Sequence, residues 1–288
     1  MSSCSEVMGS RVSTWGEGPI WWNDRLLYVD IEEHKVVSLD PADGSEKIWD
    51  VGERVGTVVP RANGGLVIAG DNGFSFLDPD SGKTTPIADP EPDKKPDNRF
   101  NDGKCDPAGR FWAGTISLVK NVGDAALYRL DPNGTVTLKF PDVTTSNGIC
   151  WSADARTMYY IDTLRKQVLA FDFDNTAGEI SKERVIIDTM SKGFDTSPDG
   201  MAIDANGNLW VAFCHGGCVV CFDSATAEVL EQIDFPCIET TACAFGGPDL
   251  KQLFVTTGVK KGLDEPLAGR VFVCEPGVSG VPAFPFAG

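Results

Sequence analysis

Four short polar stretches recur along the chain, each setting an oxygen-bearing side chain just before a glycine: Glu17-Gly18, Asn101-Asp102-Gly103, Asn147-Gly148 and Asp199-Gly200. Two carboxylates and one or two amide carbonyls, brought together, make a hard oxygen site. Such a site suits Ca²⁺, Mg²⁺ or Mn²⁺ better than a thiolate-loving metal would be suited. The first stretch poses the question most sharply. In "STWGEGPIWW", Glu17 stands among tryptophans, where a carboxylate is costly unless something pairs with it. A divalent cation would pair with it and would offset its repulsion from Asp199. Taken singly, a polar residue before a glycine is an ordinary turn. Four of them in step with a repeat point to a site.

That repeat is what must position them. Strand-like runs rich in aromatic and β-branched residues follow the polar pairs: "RLLYVDI", "GLVIAG", "RFWAGT", "TMYYIDT", "NLWVAF" and "QLFVTT". Most are followed by a second run that ends in Asp and a turn, as in "VVSLDPADG", "FSFLDPDSG" and "LYRLDPNG". Helical periodicity is nearly absent. Six units of about 40–50 residues predict an all-β fold, a six-bladed β-propeller with four-stranded antiparallel blades around a central metal-containing channel. Equivalent positions of a propeller ring its channel, so Glu17, Asn101 or Asp102, Asn147 and Asp199 should converge. Blades two and six carry Gly56-Thr57 and Thr240-Thr241 there. Each glycine is expected to clear the channel and to permit unusual backbone angles. "SEVMGSRVS" is expected to close the ring by adding a strand to the last blade near "GRVFVCEP", removing a free edge. The Pro-rich, charged "DPEPDKKPDNRF" should overhang one face. No composition shift marks a second domain, so residues 1–288 are expected to form one.

Charge and cysteine usage narrow the class. Asp and Glu number 42 against 25 Lys and Arg, for a formal net charge of −17. This surface should repel nucleic acid and anionic membranes. The start, "MSSCSEVMGSRVS", lacks the apolar run of a signal peptide, and no stretch approaches a membrane span. The nine cysteines follow no framework spacing and are read as free thiols. A cytoplasmic protein is expected, with no obligate protein partner.

The segments "GEGPIWW", "RFNDGKCDPAGRFWAGT", "SNGICWS", "YYIDT" and "SPDGMAIDANGNLWVA" together resemble the senescence marker protein/regucalcin/gluconolactonase family. The resemblance runs from about Gly16 to Thr257. It implies a six-bladed propeller with one divalent cation (Ca²⁺, Zn²⁺, Mn²⁺ or Mg²⁺) in the channel. It places the metal ligands on Glu17, Asn147 and Asp199, and the substrate-binding residues on Arg99 and Asn101. It also implies hydrolysis of a sugar lactone, with Asp199 both ligand and proton acceptor. One departure matters. Some relatives carry a substrate-touching acidic residue in the loop after "AGT", whereas here "ISLVKN" offers no acid until Asp124. Lys94, Lys95 and Arg99 are candidates to meet an acidic substrate group, or simply to solvate a loop.

Other signals carry less. His34 and His215 are the two histidines, and both read as turn residues. "CHGGCVVC" invites a metal site from Cys214, His215, Cys218 and Cys221, but Cys218 and Cys221 differ in parity and should face opposite sides of a strand. "SGKT" at Ser81–Thr84 lacks the first glycine of a phosphate loop. Trp21, Trp22, Trp112 and Trp210 are expected in inter-blade packing. Two other readings keep the fold: a non-enzymatic calcium-binding or protein-interaction propeller, and a related esterase or organophosphate hydrolase.

Overall fold

The computed structural model describes residues 6–288. It holds six four-stranded antiparallel sheets, the blades of a β-propeller. The innermost strands are Gly16–Trp22, Val55–Pro60, Asn98–Cys105, Ser146–Trp151, Ser197–Ile203 and Thr240–Gly246. Helix among the described residues is limited to four 3₁₀ turns, Pro92–Lys94, Thr163–Arg165, Met190–Lys192 and Pro248–Leu250. None is long and apolar enough to cross a membrane.

The ring closes as the sequence suggests. Glu6–Met8 pairs antiparallel with Val271–Cys274 and supplies the outer strand of the sixth blade. The Arg270 guanidinium donates to the Ser10 and Gly9 carbonyls, tying the entering chain to the same blade. A chain terminus thus covers what would be an open sheet edge.

The core lies between blades. Trp21 stacks on Phe254 across the junction of blades one and six, with ring centroids 5.3 Å apart. Trp112 packs edge-on against Trp151 and Phe173, joining blades three and four. Trp210 does the same with Phe245 between blades five and six. Trp112 and Trp210 are almost wholly buried. A buried ring of this kind removes roughly 150–250 Å² from water, worth about 4–6 kcal/mol of transfer free energy. Each indole N–H is satisfied by a turn aspartate six residues earlier, Asp106 at 2.8 Å and Asp204 at 3.1 Å. The "D-P-A-G-R-F-W" and "D-A-N-G-N-L-W" stretches are therefore turn and anchor in one. In the fourth blade the turn after the third strand, Gln167–Asp174, is held by Asp174, which accepts the Thr176 N–H.

The C-terminal segment crosses one end of the channel. Gly280 bridges to Asp204, Phe286 to Arg61, and the Ala287 N–H donates to the Gly109 carbonyl. Val281–Phe284 line an apolar cavity there with Ile20, Trp151, Ile203 and Phe245 from the ends of the inner strands. The polar pairs lie toward the starts of those strands, at the opposite end.

Candidate functional site

All six inner strands break their pairing register at the polar-glycine position. The breaks fall between Glu17 and Ile20, Val55 and Thr57, Phe100 and Gly103, Asn147 and Ile149, Pro198 and Met201, and Thr240 and Ala242. A bulge bends a strand and re-aims a side chain that regular pleating would send into the sheet. In five of the six strands a glycine sits at this break, and the sixth carries Thr240-Thr241 instead.

The glycines do not clear the channel, contrary to the sequence expectation. A Cβ on Gly56 would come within 2.2 Å of the Asn101 carbonyl. On Gly148 it would meet Met201 Cβ at 2.6 Å, and on Gly200 Ala242 Cβ at 2.3 Å. These three glycines admit the inner strand of the next blade, whereas Gly103 admits Trp112 and Ala113 of the second strand of its own blade. Gly18 alone among the four stretches' glycines takes positive φ, at 54°, the unusual backbone angle foreseen for such positions.

The loops entering the strands are held by aspartates at the ends of the second strands. Asp30, fully buried, accepts the backbone N–H groups of Thr14 and Trp15, each at 3.1 Å, and an ion pair from Arg11. Asp162 accepts those of Thr144 and Thr145. The aspartates of "YYID" and "LLYVD" thereby fix where Asn147 and Glu17 begin.

Glu17, Arg99, Asn101, Asp102, Asn147 and Asp199 are all buried. A hydrogen-bonded line joins several of them. Arg99 Nη1 donates to Asn101 Oδ1 at 2.9 Å, Asn101 Nδ2 to Asn147 Oδ1 at 2.8 Å, and Asn147 Nδ2 to Thr163 Oγ1 at 2.6 Å. Thr163 in turn donates to the Pro198 carbonyl, next to Asp199. The Asn147 amide is thus oriented from both sides, leaving its carbonyl oxygen a second lone pair. Arg99 Nε has no partner although buried.

Asn101 and Asp102 divide the third blade's contribution. Asn101 joins the line just described, while Asp102 acts on the carboxylates. Burial, then Asp102, pushes Glu17 up to about 8. Burial, then Glu17 and Asp102, pushes Asp199 well above the usual carboxylate range. Burial raises Asp102 as well, with Lys104 opposing. Lys104, two residues deeper on the same strand, also donates to the Met201 carbonyl. Its charge answers Asp102. Glu17 and Asp199 then face each other with Arg99 as the other nearby cation, itself lowered to about 10 by burial. Two protonated or cation-hungry carboxylates beside an oriented amide oxygen are a donor set that fits a hard divalent cation.

Lys94 and Lys95 are already engaged. Lys94 reaches Glu91 and Asp124, and Lys95 pairs with Asp89 at 2.6 Å and with Asn72. The charged segment after blade two is pinned to the body through Glu91, which accepts from Asn98, Thr115 and Tyr128. It flanks a small cleft lined by Lys95, Arg99 and Thr115. Asp102 as a third channel carboxylate, Lys104 and Thr163 were not singled out for these roles from the sequence. Their shared signal is position: two lie on the inner strand next to Asn101, and Thr163 directly follows an anchoring aspartate.

This arrangement can now be set beside known proteins. The SMP-30/Gluconolactonase/LRE-like region matches residues 15–259. Regucalcin of Danio rerio is 42% identical over 284 residues, covering 95% of both chains. The chain belongs to this family. A calcium-binding protein, regucalcin, from Agrobacterium tumefaciens is 29% identical with a TM-score of 0.90, covering 97% of this chain and 96% of its own. A luciferin-regenerating enzyme superposes with a TM-score of 0.89 at 29% identity, over 96% of each chain. The likeness to these two structures covers nearly the whole chain.

Proposed function

We propose that this protein is a metal-dependent hydrolase that opens the ring of a sugar lactone. The observation that carries this reading is the buried convergence of Glu17 and Asp199, their proton affinities raised, around the Asn147 carbonyl and beside an Arg99 with an unpartnered Nε. Membership of a family that includes gluconolactonases supports it.

Glu17, Asn147 and Asp199 would hold the cation. When bound, such a cation polarises the lactone carbonyl and offsets the negative charge that grows on its oxygen. Arg99 and Asn101 would orient the substrate, with Asn101 locking the direction of the guanidinium fork. Asp199 would take the proton of the attacking water. Its burial makes the carboxylate a better base than an exposed one. Asp102 and Lys104 lie deeper and set the local charge, and the capping tail crosses the far end of the channel.

Substrate acidity is not required by this site, since Lys94 and Lys95 are paired to neighbouring carboxylates. A neutral aldonolactone fits better than an acidic one. The name of the Agrobacterium relative favours a second reading, a propeller that binds calcium without catalysis. A panel of aldonolactones, assayed after chelation and after re-addition of single cations, separates the two. Turnover restored by a cation supports the hydrolase. Cation binding without turnover on any lactone supports the second reading, and turnover unaffected by chelation overturns the metal dependence.

A further inference from the structure

The end of the second strand of blade five and the entry to blade six meet at the same end of the propeller as Asp199. Cys214 closes the strand Leu209–Cys214, His215 opens the following turn with φ of 64°, and Glu239 directly precedes the strand Thr240–Gly246. Parity does send Cys218 and Cys221 into different cores, as the sequence indicates. Cys214 and His215 nevertheless acquire a third partner from another blade. Cys214 Sγ lies 3.0 Å from Glu239 Oε2 and 3.9 Å from His215 Nδ1, and His215 Nδ1 lies 2.7 Å from the same carboxylate oxygen.

We infer that Cys214, His215 and Glu239 form a second metal site, for a thiophilic divalent cation such as Zn²⁺, beside the all-oxygen set of Glu17, Asn147 and Asp199. The Cys214 thiol also hydrogen-bonds the Asp199 carboxylate, so the two sets adjoin. Four-coordinate zinc with one sulfur, one nitrogen and one oxygen ligand requires ligand separations of about 3.3–3.6 Å, and the three observed distances depart from these by no more than about 0.6 Å. The set has one position left for water. Glu239 and Cys214 are buried while half of the His215 side chain is exposed, so the site opens to solvent on the imidazole side. A backbone bridge between Cys214 and Glu239 and the His215 N–H to Glu239 Oε2 bond hold the frame.

The structure also shows which charge now occupies the place. Lys260 Nζ stands 3.1 Å from Glu239 Oε1 and 3.3 Å from His215 Nδ1. Binding of the metal displaces the thiol proton of Cys214 to solvent, moves the imidazole proton to Nε2 and pushes Lys260 aside. Metal uptake at this site therefore competes with Lys260 for Glu239 and His215.

Cobalt is the probe, because a sulfur ligand gives Co²⁺ a near-ultraviolet charge-transfer band that oxygen ligands do not. The chelator-stripped full-length protein titrated with Co²⁺ alone should develop the band. The band should persist in Glu17→Gln, which alters the oxygen site, and vanish in Cys214→Ser. No band in the unaltered protein, or a band that survives Cys214→Ser, overturns the site. A Lys260→Met variant leaves all three ligands in place and should bind Zn²⁺ about tenfold more tightly, by removing a like charge at this distance. Unchanged or weaker Zn²⁺ affinity in that variant also counts against the inference.

Discussion

Glu17→Gln in the metal-stripped protein tests the electrostatics of the channel directly. In the folded chain burial and the Asp102 charge push Glu17 from 4.5 to about 8. Below the lower value the group is protonated in folded and unfolded chains alike, and titration costs no stability. As pH rises toward the higher value the unfolded chain releases this proton and the folded chain retains it, so stability is lost with rising pH. At about 1.4 kcal/mol per pH unit, the loss amounts to about 5 kcal/mol by pH 8. Water entering the channel would reduce it, so this is an upper bound. For a chain of this size it corresponds to a fall on the order of 10 °C in melting temperature between pH 5 and 8. Gln keeps the shape and removes the titration. Thermal melts of the stripped protein and of Glu17→Gln should therefore agree near pH 5 and separate by pH 8, with the variant the more stable. Adding Ca²⁺ at pH 8 should raise the melting temperature of the unaltered protein, because a bound cation replaces the missing proton. Parallel pH profiles for the two proteins would refute the reasoning.

Four further outcomes follow from the same geometry. Asp199→Asn should lower lactone turnover by about 10²–10⁴-fold with the circular dichroism spectrum unchanged, as expected for loss of a proton acceptor; retained turnover would remove Asp199 from the chemistry. Asn147→Ala removes an oriented oxygen and should weaken cation affinity at least tenfold by calorimetry, while Arg99→Lys, which keeps charge but loses the fork, should raise KM more than it lowers kcat. Gly200→Ala brings a Cβ to within 2.3 Å of Ala242 Cβ on the adjoining inner strand, and should cost about 1–3 kcal/mol in denaturant titration; a neutral result would mean that the blades tolerate a wider ring.

Much of the fold was legible because a propeller repeats its local chemistry. "YVD" and "YID" mark second strands whose aspartates capture incoming backbone amides, and "GRFW" and "GNLW" mark turns tied to a buried indole. The closing strand was readable because a closed propeller must join its first and last blades and "SEVMGSRVS" precedes the first repeat. The roles of the glycines were misread for a physical reason. A sequence shows that a Cβ is absent, while the direction in which it would have pointed depends on the bulge. At Gly56, Gly148 and Gly200 that direction is toward the next blade, and at Gly103 toward the second strand of its own blade. The six cysteines 105, 150, 214, 218, 221 and 243 are free thiols as expected, and Cys4 lies outside the described residues.

By itself the sequence determined the register: which residues occupy equivalent places in successive blades, and so that Glu17, Asn101 or Asp102, Asn147 and Asp199 ring one channel. Tertiary structure decided everything that depends on distance across blades. It placed Asn101 in the hydrogen-bonded line and Asp102 among the carboxylates, set Lys104 against them, and tied Lys94 and Lys95 to other partners. It also brought Glu239 to Cys214 and His215 across a blade boundary. Repeats encode position along each strand, but electrostatic energies vary with separations of a few ångströms. Those separations are set only when bulged strands and side-chain-free glycines let neighbouring blades close on one another.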